Sequence, residues 1–293
     1  VQLIIPVKQK YAFGLELHPY SYQEIILSDT LYNDIAAFED TVSVQKKYEQ
    51  AGGIMALDLS LSSSLFSGNN MGFTMQLLFG SSRQNRSLIL DQIPYTQASR
   101  LNYSGINSTF YISQKINLIN FYLNSSFSIN PLEAIYTKLY PFDDTNKNGY
   151  HDFTYNYLNP GYDFPHPNDV PEPNESRITD IYDKFSIGVG ITRKILNRIQ
   201  LSAELEKNTD RSSFDIRLPN SFNYRIKSND NYSFGIIWFP DDLSFRFIDN
   251  FTFRSGFLYS IYSFDEYENL NQSRIDNKND ITQFGYTIGF GYK

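Results

Sequence analysis

The chain has 293 residues, no cysteine and a formal net charge of −7. Zero cysteine excludes disulfides, thiolate metal sites and a cysteine nucleophile, and the acidic balance argues against a nucleic-acid partner, which favours a basic face. Only 19 % of residues are charged, 16 % are aromatic and mean hydropathy is −0.39, yet no run approaches the roughly 18 apolar residues of a spanning helix. Val1–Pro6 carries no initiating Met, basic segment or cleavage site, so an export signal is expected to lie upstream or to have been removed.

Period-two alternation of apolar and polar residues dominates, the mark of strands with two unlike faces. In chain order, strands are predicted at about 1–7, 11–23, 53–66, 70–80, 100–114, 118–130, 182–195, 198–206, 230–239, 245–262 and 281–292. Met55, Leu57, Leu59, Leu61 and Leu65 oppose Ala56, Asp58, Ser60, Ser62 and Ser64. Met71, Phe73, Met75, Leu77 and Phe79 alternate with Gly72, Thr74 and Gln76, broken only by Leu78. Phe121, Leu123, Phe127 and Ile129 oppose Asn120, Tyr122, Asn124, Ser126 and Ser128, with Ser125 the exception. Phe185–Ile191, Ile199–Leu205 and Phe284–Tyr292 repeat the pattern. No stretch of comparable length shows a helical stripe, so the fold class is all-β.

Strand length selects among β architectures. Soluble sheets use strands of about five or six residues, whereas a tilted strand crossing a bilayer needs about 9–11. Most segments here reach that length, their polar phase is Ser, Thr, Asn and Gly, and aromatics such as Phe79, Phe121, Trp238, Tyr259 and Tyr292 gather near segment ends. That is the pattern of a wet lumen behind a lipid-facing wall with aromatic girdles. The links alternate too. Lys8–Lys10, Ser67–Asn69, Lys115–Asn117, Leu196–Asn197 and Pro240–Ser244 are short, while Glu24–Gly52, Ser81–Ser99, Pro131–Ile181, Lys207–Asn229 and Ser263–Asp280 are long. The expected fold is therefore an antiparallel transmembrane β-barrel of the outer-membrane type. It forms a single domain over 1–293, incomplete at both ends, with 131–181 as a long extracellular loop. About eleven strands is an odd total, and single-chain bacterial barrels close with an even one; Phe214–Ile226 is the candidate for an unread strand.

Several short motifs resemble a known family. Val1–Pro6, then Tyr11-Ala12-Phe13-Gly14-Leu15 running into Pro19-Tyr20-Ser21, then Gly52-Gly53-Ile54, Leu78-Phe79-Gly80 and Arg254-Ser255-Gly256-Phe257 are similar to FadL-like outer-membrane transport proteins of the divergent branch found in Bacteroidetes. The resemblance implies a fourteen-stranded barrel whose N-terminal plug and some terminal strands fall outside this chain. It also implies passive uptake of hydrophobic small molecules such as long-chain fatty acids.

The residues themselves offer a few candidate sites. Glu16 and His18 share the wet face of one strand, with Asp58 on the wet face of another. They are read as lumen lining rather than as an acid/base couple. Glu204 and Glu206, with Arg254 on a nearby strand, are read as a charged lumen lattice that tunes selectivity. Asp144, Asn146, Asn148 and Asp152, with Gly149 between them and the Tyr150 carbonyl, match the first part of a calcium loop, although Tyr155 stands where the bidentate Glu belongs. The alternative is a polar turn-rich loop. The five prolines between Asn159 and Pro173 exclude helix or inner strand there.

No nucleophile is marked by a motif, and an enzyme is not expected. No cofactor is expected beyond that calcium ion. Two functional readings remain: a channel for hydrophobic ligands, or a structural or interaction barrel working through long extracellular loops. Expected partners are outer-membrane lipid, a hydrophobic ligand and proteins meeting those loops.

Overall fold

The computed structural model describes residues 2–8, 10–29, 33–37, 40–66, 68–90, 93–144, 150–151, 153–154, 161–196, 198–212, 224–240, 247–267 and 274–292. The first strands are β1 (Gln2–Val7), β2 (Tyr11–Ser28), β3 (Asn33–Ala37), β4 (Asp40–Phe66), β5 (Asn69–Leu90), β6 (Ile93–Ile116), β7 (Ile119–Lys138) and β8 (Phe142–Asp143). A small hairpin, β9 (Phe153–Thr154) and β10 (Gly161–Tyr162), stands apart. Then come β11 (Asn174–Tyr182), β12 (Lys184–Leu196), β13 (Ile199–Asp210), β14 (Tyr224–Trp238), β15 (Phe251–Tyr267) and β16 (Arg274–Tyr292).

Eleven strands follow one another as antiparallel neighbours in the order β1-β2-β4-β5-β6-β7-β12-β13-β14-β15-β16, and β3, β8 and β11 flank this path. The all-β, up-and-down reading therefore holds, and the path has the predicted number of strands. Among the described residues the sheet does not close, because β1 and β16 do not pair with each other. Tight links join the strands at one end: Asn117, at φ 55, turns β6 into β7, and Gly68, at φ 94, helps turn β4 into β5.

Among the described residues the sheet has no second layer behind it. Its accessible surface is 19716 Å², against roughly 13,000 Å² for a compact soluble protein of this mass. Alternation explains why. Phe73, Phe127, Phe234 and Phe284 all point to one side and are 44 %, 40 %, 50 % and 69 % exposed, while the opposite side carries Asp58, Gln76 and Asn107 in one register row. An exposed face written in Phe, Leu, Ile and Val is the face that acyl chains cover.

The links read as long loops contain much strand. β4, β5 and β6 have 27, 22 and 24 residues, and β11 pairs with the upper part of β7 inside the 131–181 segment. The apolar outward rows cover only part of this length. On β5 they run from Met71 to Phe79 and on β4 from Met55 to Leu65. At about 3.4 Å per residue and a tilt of about 40°, those rows rise roughly 20–26 Å, which matches an apolar band of about 25 Å. The rest of β4 to β7 stands beyond the band as a tall wall.

A line of irregularities crosses the sheet where the wall leaves the band. β2 shifts register between Pro19 and Ser21, and β6–β7 shifts around Ile106. Between them Gly52 (φ +134) and Gly80 (φ +153) adopt backbone that L side chains avoid, and a Cβ on either would meet a neighbouring strand's carbonyl. Of the predicted twelfth strand, Tyr224–Ile226 belongs to β14, and 213–223 lie outside the described residues.

Candidate functional site

The inner face carries two layers. The lower one is a belt of side chains joined across strands. Asp58 on β4 accepts from Gln76 Nε2 on β5 at 2.9 Å and lies 3.3 Å from His18 Nε2 on β2. Asn107 on β6 donates to Gln76 Oε1 at 3.3 Å, and Ser128 on β7 donates to Asn107 Oδ1 at 2.9 Å. The backbone N–H of Lys184 continues the belt to Ser128 Oγ at 2.8 Å, and Ser186 Oγ donates to Glu206 Oε1 at 3.1 Å. Farther round, Ser260 Oγ donates to Asn231 Oδ1 at 2.7 Å. Register places Asp58, Gln76, Asn107 and Ser128 directly opposite one another in turn, and Asn231 opposite Ser260, while His18–Asp58 and Ser186–Glu206 meet diagonally across their strands.

Above the belt, the same face is apolar. Ile54, Ala56, Leu78, Leu101, Leu132, Ala134 and Ile181 form a buried cluster, with Tyr20, Tyr103, Tyr136, Ile178 and Tyr182 packed against it. Leu78, the break in the alternation of its strand, is explained here: it points inward into this cluster and is buried. The cluster fills the inner face where β4 to β7 and β11 meet.

Higher still, the tall wall holds a cleft of about 640 Å³. Leu27, Tyr48, Leu88, Tyr95 and Pro141 supply its apolar lining, and Lys46, Lys47 and Arg86 its cations. Burial raises the Tyr48 hydroxyl above its ordinary pKa, and the positive charge of Arg86 partly offsets this. No sequence motif marks this cleft. Its residues come from segments that alternate polar with apolar on both faces, so they read as loop.

The predicted lining residues separate into groups. Glu16 and His18 do lie in phase, but Glu16 receives Gln2 Nε2 at 3.4 Å while the partner of His18 is Asp58. Glu204 and Glu206 share the inner face of β13. Glu204 takes a hydrogen bond from Tyr122, whose ring lies where a Cβ on Gly190 would sit. Arg254 pairs in register with Ile237 and Gly289, whereas Glu204 pairs with Ser233, which faces Leu258. The structure thus sets Arg254 two strands across and four residues along from Glu204, and does not bring the charges together. Lys184, absent from the sequence reading, is the cation beside Glu206 and Asp58. Its inward parity was its only signal.

Of the calcium-loop residues, Asp144 is buried at the end of β8, and the Tyr150 ring lies 3.4 Å below the Arg83 guanidinium. Asn146, Asn148 and Asp152 lie outside the described residues. His151 stacks on Phe142 at 4.6 Å, and its Nε2 lies 2.7 Å from the Pro165 carbonyl.

Comparison with known proteins corrects the resemblance drawn from short motifs. No curated protein matches the chain. The BamG family model matches residues 1–292, and this family, related to outer-membrane assembly, is distinct from the FadL-like transporters. The motifs misled because Gly-Gly, Phe-Gly and Tyr-x-Phe in long alternating strands answer to needs that many membrane sheets share: backbone freedom at a bend and rings at an interface. The match spans nearly the whole chain and agrees with the outward apolar band of an outer-membrane protein, so the chain belongs to the BamG family.

Proposed function

We propose that this chain is an outer-membrane interaction barrel that serves the assembly of outer-membrane proteins, with its tall wall as the partner surface. One observation carries the reading: β4, β5 and β6 have 27, 22 and 24 residues, where about 9–11 suffice to cross a bilayer. Asp40 to Ile54 alone extends roughly 50 Å at about 3.4 Å per residue. A diffusion channel has no need of such a wall, and the apolar cluster above the belt occupies the face that an entry groove for a hydrophobic ligand would use. The cleft of Tyr48, Leu88, Tyr95, Lys46 and Arg86 supplies aromatic and cationic anchors of the kind that concentrate binding energy at protein interfaces. The role requires no chemistry of the chain's own.

The test shortens the wall at the β5–β6 hairpin without touching the membrane part. Residues 86–97 are replaced by an Asn-Gly turn joining Asn85 to Ala98, which face each other in register. The full-length chain, purified in mild detergent from its own membranes, is expected to carry other components of the assembly machinery. The shortened chain is expected to lose them while staying folded. Unchanged co-purification would reject the reading.

We also propose, on its oxygen spacing alone, that the 144–152 loop takes calcium. Wild type is then expected to melt higher in calcium than in EDTA, and Asp144→Ala to abolish that difference. Equal melting of wild type in the two buffers retires the idea.

A further inference from the structure

On the outward face of the tall wall, Arg83 of β5 and Arg100 of β6 stand directly opposite each other in register. Cross-strand partners on one face have Cβ atoms about 4.5–5.5 Å apart, and like charges so placed are destabilising. Among the described residues the neighbouring carboxylates are engaged elsewhere: Glu49 holds Lys47 at 2.6 Å, and Glu133 holds Arg177 at 2.7 Å. Among the described residues the pair's one hydrogen bond is from Arg100 Nη2 to Ser81 Oγ at a long 3.5 Å. Yet Arg83 is held in place, its guanidinium 3.4 Å over the Tyr150 ring. A ring on one face of a guanidinium leaves the N–H edge free, and that edge forks onto phosphate oxygens.

Position along the strand supplies the second half of the argument. Phe79 ends the continuous outward apolar row of β5, and Arg83 follows it by two outward positions. At about 3.4 Å per residue and a tilt of about 40°, this is roughly 10 Å above the hydrocarbon boundary. The headgroup layer occupies about 5–8 Å on each side of the core, and arginine stems reach back over the difference. The two cations therefore sit at the level of lipid phosphates, on the face turned to lipid, in a chain whose net charge is −7.

We propose that Arg83 and Arg100, with Tyr150 positioning the first, form a binding site for the phosphate group of an anionic lipid in the leaflet around the tall wall. One phosphate shared between the two forks cancels their mutual repulsion, so the pair costs stability in a neutral environment and contributes it in an anionic one. The site rests on the membrane-spanning reading and not on the assembly role. The lipid measurements use the full-length wall, so loss of protein partners on shortening it does not decide them.

The experiment uses the full chain in phosphatidylcholine bicelles with and without phosphatidic acid, read by thermal unfolding and by lipid retention in native mass spectrometry. Wild type is expected to retain phosphatidic acid and to melt higher in its presence. Arg83→Gln/Arg100→Gln is expected to bind it about tenfold more weakly, yet to melt no lower than wild type in phosphatidylcholine alone. Arg83→Lys/Arg100→Lys keeps charge without the fork and falls between. Arg100→Gln alone gives the same reading should the double variant misfold. Equal retention by wild type and the glutamine variants overturns the site. Inorganic phosphate that stabilises the detergent-solubilised protein as well as the lipid does, or displaces the lipid, overturns a lipid as its source.

Discussion

At Glu133 the guanidinium of Arg177 sets both the position and the ionisation of the carboxyl. Two contacts at 2.7 and 2.9 Å from Nη2 and a third at 3.1 Å from Nε hold the carboxylate, and they lower its pKa below the ordinary value. A carboxyl with a depressed folded pKa contributes stability above its unfolded pKa, and that contribution is lost as pH falls through the folded value. Glu133→Gln is therefore expected to melt slightly below wild type at neutral pH and level with it in acid below both values. The effect is small because the pair is exposed to solvent and screened. A difference in melting temperature that does not change with pH would contradict this assignment.

Gly190 tests packing instead of charge. A methyl group there overlaps the Tyr122 ring, so Gly190→Ala is expected to cost about 1–3 kcal/mol by overpacking. In a Tyr122→Ala background most of that cost should vanish, as a double-mutant cycle of urea unfolding in bilayers would report. A full cost with Tyr122 removed would place the strain elsewhere.

Among the elements, the spanning halves were legible in the sequence and the upper halves were not. Met55 to Leu65 and Met71 to Phe79 meet lipid on one side and water on the other, and that contrast writes alternation into the chain. Beyond Gly52 and Gly80 neither face meets acyl chains, so Gln45-Lys46-Lys47-Tyr48-Glu49 carries no period and reads as loop although it is strand. The inward parity of Asp58, Glu204 and Glu206 was readable for the same reason. How far Arg254 lies from Glu204 was not, since register depends on pairing that a single strand does not encode. Leu78 broke its strand's pattern, and the break reported the buried apolar cluster. At this scale, Gly80→Ala is expected to destabilise the sheet by about 1–3 kcal/mol, the usual cost of forcing a side chain into disfavoured backbone. Gly72, where a Cβ would make only ordinary van der Waals contacts on ordinary backbone, serves as the control, and equal losses at both glycines would refute the backbone argument.

For the whole molecule, the decisive quantity is the surface of 19716 Å² carried by a chain of 34.0 kDa. Many of its large apolar side chains, Phe284 and Phe290 among them, find cover only outside the protein. The chain is accordingly expected to stay in solution with detergent and to aggregate when detergent is withdrawn. A monomer that sediments freely in plain buffer would undo the membrane reading.

The register shifts at Pro19 and Ile106, with the positive-φ glycines Gly52 and Gly80 between them, line up as a crease from β2 to β7, through which the β4–β5 and β5–β6 ladders stay in register. A regular sheet transmits torque along its ladders, but a crease concentrates rotation where the ladder is weakest. The tall wall is expected to lean about this line while the anchored half keeps its register. Amide protons above the crease are expected to exchange as a separate, faster cooperative unit. Whatever grips the wall then pulls against a hinge set into the membrane surface, and the embedded strands remain undisturbed.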